Sequence, residues 1–327
     1  MRGLFPGSWM TKAILIIGAN GRLGQVLAGA FAKAGWRVHA QVRRQPPRAQ
    51  PGVHWVHAPI EDPPALANTV RAASIVVHAA NPPYTQWQEQ VRPLAKYAID
   101  TARRLGALLM FPGNVYNFGR RMPQLLLEDS PQNPTTRKGR IRVEAESDLR
   151  AAAGAGLRSV VIRAGDFFGG PGRGSWFDLM IAKSLRKGIA VYPGPLHVVH
   201  AWAYLPDLAR AFVMVAERQA ALPMFETLHF EGHSLTGEAL LEALARSARR
   251  QGLLLPNVPL RRRSLPWPLL RLGGLAVPML REISEMRYLW SAPHLLSGER
   301  LKQLIGEVPA TPLDQAMDET LRELFGR

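Results

Sequence analysis

The stretch Ala13-Ile-Leu-Ile-Ile-Gly-Ala-Asn-Gly-Arg-Leu-Gly24 decides the fold. Its first five residues are an unbroken β-branched and leucine run, the composition of a parallel strand buried on both faces. Glycines follow at positions 18, 21 and 24, and then Gln25 to Lys33 carries apolar residues at helical spacing until Gly35 stops it. Glycines also serve ordinary turns, so a bare triplet says little. Placed between a buried strand and an amphipathic helix, the triplet lets backbone and helix N-terminus approach a pyrophosphate. Gly18, Asn20, Gly21, Arg22, Leu23 and Gly24 are therefore the expected dinucleotide-binding turn.

Arg37 to Val42 returns as a second strand. A site that prefers NAD places Asp or Glu about 20 residues beyond the turn to bond the ribose 2′-hydroxyl. From Gln25 through Ile60 there is no acidic residue, while Arg43 and Arg44 stand where the second strand ends and Arg22 lies inside the turn. Guanidinium groups suit a 2′-phosphate, so NADP(H) is the expected cofactor.

Further along, Val53–Val56, Ser74–His78, Leu108–Phe111 and Ser159–Arg163 read as strands, alternating with helices at Pro63–Ala72, Gln86–Leu105 and Arg140–Ala153. The alternation predicts an α/β fold, a doubly wound parallel sheet with right-handed crossovers. Residues 12–165 form the expected dinucleotide-binding core, with later strands returning to it, and 166–327 a smaller, mostly helical substrate portion. Helices are expected there at Phe177–Arg186 and Leu208–Glu217, and the helical stretch Leu265–Gly326 is expected to cap the cleft.

Composition narrows the class. At 327 residues, 47% hydrophobic and 20% charged, the chain can bury a large core. Forty-one Lys and Arg against 25 Asp and Glu give +16, which attracts anions. The basic groups Arg120–Arg121, Arg137 to Arg142 and Arg261 to Arg263 lack aromatic interleaving or a nucleic-acid module, so no nucleic-acid partner is expected. The absence of cysteine excludes disulfides and thiolate chemistry. The nine histidines show no metal spacing, and no metal is expected. Met1 to Trp9 does not read as a signal peptide, and Leu272 to Leu280 is far shorter than the roughly 20 residues of a spanning helix. The expectation is a cytoplasmic protein with no membrane span.

Several stretches, in order, resemble the extended, epimerase-like short-chain dehydrogenases over about residues 12–220, with a fainter echo to the end. Ser74-Ile-Val-Val-His-Ala-Ala80 is similar to the family's fourth strand, whose Ala-Ala end lies beside the cofactor, here Ala79 and Ala80. Arg163-Ala-Gly-Asp-Phe-Phe-Gly169 is similar to its Arg-Pro-x-Asn-x-Tyr-Gly stretch, and Leu205-Pro-Asp-Leu-Ala209 to its Val-x-Asp-Leu-Ala segment. The resemblance implies a Rossmann fold, a nicotinamide cofactor and a small-molecule substrate, with Asp166 and Phe167 touching that substrate. Tyr84, just past the fourth strand, is a further candidate for the pocket wall, with core packing as its alternative. Pairing through the helices after strands four and five, as relatives do, would give a homodimer.

The family's proton chemistry uses Ser or Thr and a Tyr-x-x-x-Lys pair. Laying Phe111-Pro-Gly-Asn-Val-Tyr-Asn-Phe-Gly119 over the family pattern puts Asn114 at the serine position. In Asn133-Pro-Thr-Thr-Arg-Lys-Gly-Arg-Ile-Arg-Val-Glu-Ala-Glu146 the tyrosine position is Lys138 and the lysine position Arg142. No tyrosine in the chain has Lys four residues on; Tyr116 precedes Arg120 by four, but in a loop, so that spacing reads as chance. Three readings of Asn114, Lys138 and Arg142 stand open beside a solvated basic helix start. Lys138 acts as proton donor with Asn114 assisting; or Lys138 and Arg142 grip an anionic group; or catalysis is lost and the chain is a silent NADP(H)-binding regulator.

Overall fold

The computed structural model describes residues 12–43 and 50–326. Strand β1 (Ala13–Ile17) is buried at every position, and α1 (Arg22–Lys33) begins on the glycine turn. The chain continues through β2 (Arg37–Gln41), β3 (Val53–Val56), α2 (Pro63–Thr69), β4 (Ile75–His78), α3 (Trp87–Leu105) and β5 (Leu108–Gly113). Asp62 caps α2 by accepting from Ala65 N at 3.0 Å, with Pro63 at the first helical position, where its missing N–H costs nothing. Gly106, at φ +62°, ends α3 in a left-handed cap. After the two-residue β6 (Leu125–Leu126), α4 (Arg137–Ala153) starts where Thr136 accepts from Gly139 N at 3.1 Å, and β7 (Ser159–Ala164) follows.

The later chain runs β8 (Asp166–Phe168), β9 (Ile189–Tyr192), β10 (Val199–Tyr204), α5 (Leu205–Glu217) and β11 (Phe225–Phe230). It continues with β12 (His233–Thr236), α6 (Gly237–Arg250), β13 (Arg261–Ser264), α7 (Trp267–Gly273), α8 (Pro278–Glu285), β14 (Leu295–Leu296), α9 (Glu299–Ile305) and α10 (Leu313–Phe325).

Seven strands form one parallel sheet in the order β11-β7-β5-β4-β1-β2-β3. This is the doubly wound Rossmann order with β11 returning as an extra edge strand. Helices α1 and α5 cover one face, over a core that includes Phe31, Trp36 and Phe212; α3 and α4 cover the other, around Ala98, Phe111 and Leu149. The strand order reverses between β1 and β4, and a crevice for a ligand opens beyond their carboxyl ends.

The later portion has its own aromatic core of Phe168, Phe177, Trp202, Tyr204 and Trp290. It holds more strand than expected: a three-stranded sheet β12-β10-β8 and a parallel pair β13-β9. Nor is Phe177–Arg186 one α-helix. It is a wide turn, Phe177–Ile181, and a tight turn, Leu185–Lys187, ended by Gly188 at φ +67°. Asp178 caps the start of the wide turn by accepting from Gly174 N and Ser175 N, and the turn is wide because Ala182 N donates five residues back, to Phe177 O at 2.8 Å, instead of four.

Candidate active site

The glycine turn is fixed by close packing at both ends and open in the middle. A Cβ on Gly18, whose φ is +78°, would lie 2.5 Å from Ala80 Cα, so the ends of β1 and β4 approach too closely for any side chain. A Cβ on Gly24 would lie 2.6 Å from Gly18 O. Gly21 is exposed, caps α1 with extended backbone, and a Cβ there would come no nearer than 3.2 Å to a neighbour. No side chain caps α1 and no acidic residue lies in its first turn, so its leading N–H groups and positive dipole end face the crevice. Half-buried Ala79 and Ala80 form the opposite wall, with Ala79 N donating to Ile17 O at 2.9 Å. These residues fit a dinucleotide pyrophosphate.

The arginines divide. Arg22 sends its guanidinium across the molecule, donating to Asp178 Oδ1 and Ser175 Oγ at 2.8 Å and to Gly169 O at 2.7 Å. Its side chain thus ties the turn to the later portion rather than facing a ribose, and only its backbone serves the turn. Arg43 stands exposed just past β2; Arg44 lies outside the described residues. At the end of β2, buried Gln41 accepts from Gly18 N at 3.1 Å and donates to Ala58 O at 2.8 Å, bracing the turn.

Past β5, Asn114 accepts from Tyr116 N at 3.0 Å, and its amide nitrogen has no partner among the described residues. Arg142, one turn along α4 from Lys138, donates to Pro112 O, and its Nε is buried without a partner among the described residues. Burial lowers the pKa of its guanidinium, against the pull of Glu146. Lys138 is fully buried. Its Nζ donates to Glu285 Oε2 at 2.6 Å, to Glu282 O at 3.2 Å and to Glu282 Oε2. An ammonium has three N–H groups, and all three are taken. Arg137 also binds Glu282, so α8 is stapled to the start of α4.

Beside Lys138, whose Nζ lies 5.1 Å from the Tyr84 ring centre, the hydroxyls of Tyr84 and Tyr116 are 2.9 Å apart. Burial pushes the Tyr84 phenol up to about 12; nearby Asp166 adds to this, while the Tyr116 bond pulls the other way. Burial, then the neighbouring Tyr84 and Asp166, holds Tyr116 well above its ordinary value. Asp166 Oδ2 accepts from His200 Nε2 at 2.7 Å, and the His200 ring stacks on Trp290 at 4.5 Å. Phe167, on the alternate face of β8, packs against the core beneath α1 and α5, so it does not join Asp166 on one surface.

The structure therefore brings Asn114, Arg142, Lys138, Tyr84 and Asp166 to one end of the sheet. It adds Tyr116, His200, Glu282 and Glu285, which sequence reasoning did not select. For the two glutamates a signal existed: they are the first acids after Glu242 and stand three apart, on one helix face. Among the described residues no cluster of three His, Cys, Asp or Glu could hold a metal ion, and no helix is long and apolar enough to cross a membrane.

A strand-order reversal with a glycine cradle beside it is the arrangement of a dinucleotide-binding Rossmann fold. The chain belongs to the NAD dependent epimerase/dehydratase family, whose model matches residues 14–228. Among solved structures it is similar to a UDP-glucose-4-epimerase from Stenotrophomonas maltophila with bound NAD and formylated UDP-arabinopyranose. The TM-score is 0.75 at 17% identity, over 96% of this chain and 98% of that one. The Bordetella bronchiseptica enzyme WbmH in complex with NAD+ gives 0.73 at 18%, over 97% and 100%. An NAD dependent NDP-hexosamine 5,6-dehydratase, TunA, gives 0.71 at 18%, over 97% and 99%. At these identities the likeness is one of fold. Among curated protein sequences none matches the chain.

Proposed function

We propose that this chain is an NADP(H)-dependent oxidoreductase that reduces a small carbonyl compound, with the Tyr84–Tyr116 pair supplying the proton. The observation that carries the reading is the 2.9 Å contact between those two hydroxyls, beside Asn114 and Arg142 at the carboxyl ends of β4 and β5. The nicotinamide, when bound, supplies the hydride. Tyr84 is half-buried and Tyr116 buried, so Tyr84 meets the substrate and Tyr116 stands behind it. A phenol whose pKa is pushed up to about 12 is protonated at neutral pH, and it remains more acidic than an alcohol. It therefore gives its proton to a developing alkoxide, Tyr116 donates the hydrogen bond that steadies the phenolate left on Tyr84, and water reprotonates half-buried Tyr84 after product leaves. The Asn114 amide nitrogen and Arg142 Nε have no partners among the described residues; the first steadies the oxygen and the second suits a ribose hydroxyl. Lys138 then acts as a positioning group. The lack of acid near β2 and the exposed Arg43 support NADP(H) over NAD(H).

A second reading, a silent NADP(H)-binding regulator, is favoured by the complete capture of Lys138 by α8. The test is NADPH oxidation at 340 nm against a panel of aldehydes and ketones, with NADPH affinity measured in parallel. Tyr84→Phe is expected to lower kcat by about 10²–10⁴ while leaving NADPH affinity unchanged. Tight NADPH binding with no turnover on any carbonyl favours the regulator. Wild-type turnover in Tyr84→Phe sinks the proton role.

A further inference from the structure

Beyond its dinucleotide site the molecule carries a second feature that this chemistry does not use. Of the large apolar side chains that stand exposed, seven fall between residues 255 and 279. Five of the seven cluster on the α7–α8 hairpin: Leu269 at 66%, Leu272 at 67% and, in the connecting turn, Leu275 at 85%, with Val277 and Met279 beside them. From Ala243 through Arg281 there is no acidic residue and there are eight arginines. Those of β13, which leads into α7, are exposed, as are Arg271 and Arg281. Arg261, Arg263 and Arg271 make no ion pair among the described residues.

We infer that the α7–α8 hairpin docks the protein onto an anionic lipid surface, its leucines entering the headgroup region and its arginines lying against lipid phosphates. Apolar tips ringed by cations are what a helix lying in a membrane interface presents, where buried apolar area and attraction to anionic headgroups act together. Charge argues against a second copy as the occupant, because pairing two such faces brings arginines against arginines. The inner side of α8 is meanwhile held rigid by Glu282 and Glu285 on Lys138 and Arg137, so Met279 and Arg281 are presented outward on a fixed helix.

The experiment is co-sedimentation of the full chain with phosphatidylcholine vesicles, with and without about one third phosphatidylserine, at low and high salt. The expected result is pelleting only with the anionic vesicles and weakening by salt. Leu275→Asp should lose it at least tenfold, as should the Arg263→Glu/Arg271→Glu pair, with circular dichroism and NADPH affinity unchanged. Leu275, Arg263 and Arg271 face solvent, and neither arginine makes an ion pair among the described residues, so neither variant threatens folding. No pelleting with anionic vesicles overturns the inference, and so does pelleting of Leu275→Asp at the wild-type level, which would mean charge adsorption alone. A free dimer in sedimentation equilibrium that Leu275→Asp dissociates also overturns it, by assigning the face to a second copy.

Discussion

Lys138 Nζ lies 2.6 Å from Glu285 Oε2 across the joint between α4 and α8. That side chain, with Glu282 on its other side, fastens α8 to the start of α4. Removing one partner of a buried ion pair leaves an uncompensated charge, which costs about 3–5 kcal/mol. Glu282→Ala, whose carboxylate is 2% exposed, should destabilise toward that figure in urea unfolding. Glu285→Ala, at 23% exposure, should cost less. Equal and negligible losses would mean that the joint does not hold the cap.

The same joint sets an acid limit. Burial raises the Glu282 carboxyl, but hydrogen bonds from Arg137 and Lys138 outweigh it, so its folded pKa lies below the ordinary value near 4.5. A depressed carboxyl pKa stabilises the fold above the unfolded value, and that contribution is lost as pH falls through the folded one. The Glu282→Gln variant should therefore lose less stability than the wild type on going below about pH 4.5, starting from a lower value at pH 7. Parallel curves for the two proteins over that interval would refute the assignment.

The glycine turn separates packing from ligand approach. Gly18→Ala places a Cβ 2.5 Å from Ala80 Cα at a positive φ and should destabilise by about 1–3 kcal/mol. Gly21→Ala, at φ −68° with its nearest neighbour 3.2 Å away, should fold normally yet lose most NADPH affinity, because its methyl group stands where the pyrophosphate must approach. Thermal melts with NADPH titrations distinguish the two. Unchanged NADPH affinity in Gly21→Ala would move the cofactor elsewhere.

Arg22 and Arg43 should answer differently. Arg22→Ala strips buried Asp178 of its ion pair and should lower stability without changing the ratio of NADPH to NADH affinity. Arg43→Ala should narrow that ratio several-fold and leave stability within about 0.5 kcal/mol, as surface substitutions do. If Arg22→Ala alone shifted the ratio, its guanidinium would have to leave Asp178 when the cofactor binds.

Most of the sheet was legible because its signals are local. A buried run such as Ile14 to Ile17, glycines at fixed offsets, and Gly106 after a helical stretch each act within a few residues. The site was less legible because its decisive partners are distant in sequence. Lys138 reads as a candidate acid, and nothing nearby in sequence shows that Glu282 and Glu285, more than 140 positions on, accept its hydrogen bonds. Arg22 reads as a phosphate ligand until Asp178 turns it away. Tyr84 and Tyr116 meet only because β4 and β5 are sheet neighbours, which no spacing within either loop reveals.

Three buried histidines set a second, higher acid limit. Burial, with help from Arg142, holds His78 at about 3; burial and Arg163 do the same for His229, and burial and His200 for His294. A neutral buried histidine is the reverse of an ion-paired one: the folded state refuses the proton that the unfolded state accepts below about pH 6.5. Stability is therefore complete above pH 6.5 and falls progressively as pH drops toward 3. Each group contributes about 1.4 kcal/mol per pH unit at most, so three together approach about 4 kcal/mol per unit. The three together remove about 10 kcal/mol by pH 4, so against a typical total of about 5–15 kcal/mol the chain should lose most of its stability between about pH 6.5 and 4. Circular dichroism across that interval locates the midpoint, and His294→Gln should reduce the slope of unfolding free energy against pH by about one third. A fold intact at pH 3.5, or an unchanged slope in His294→Gln, would show that these rings take up protons without opening the core.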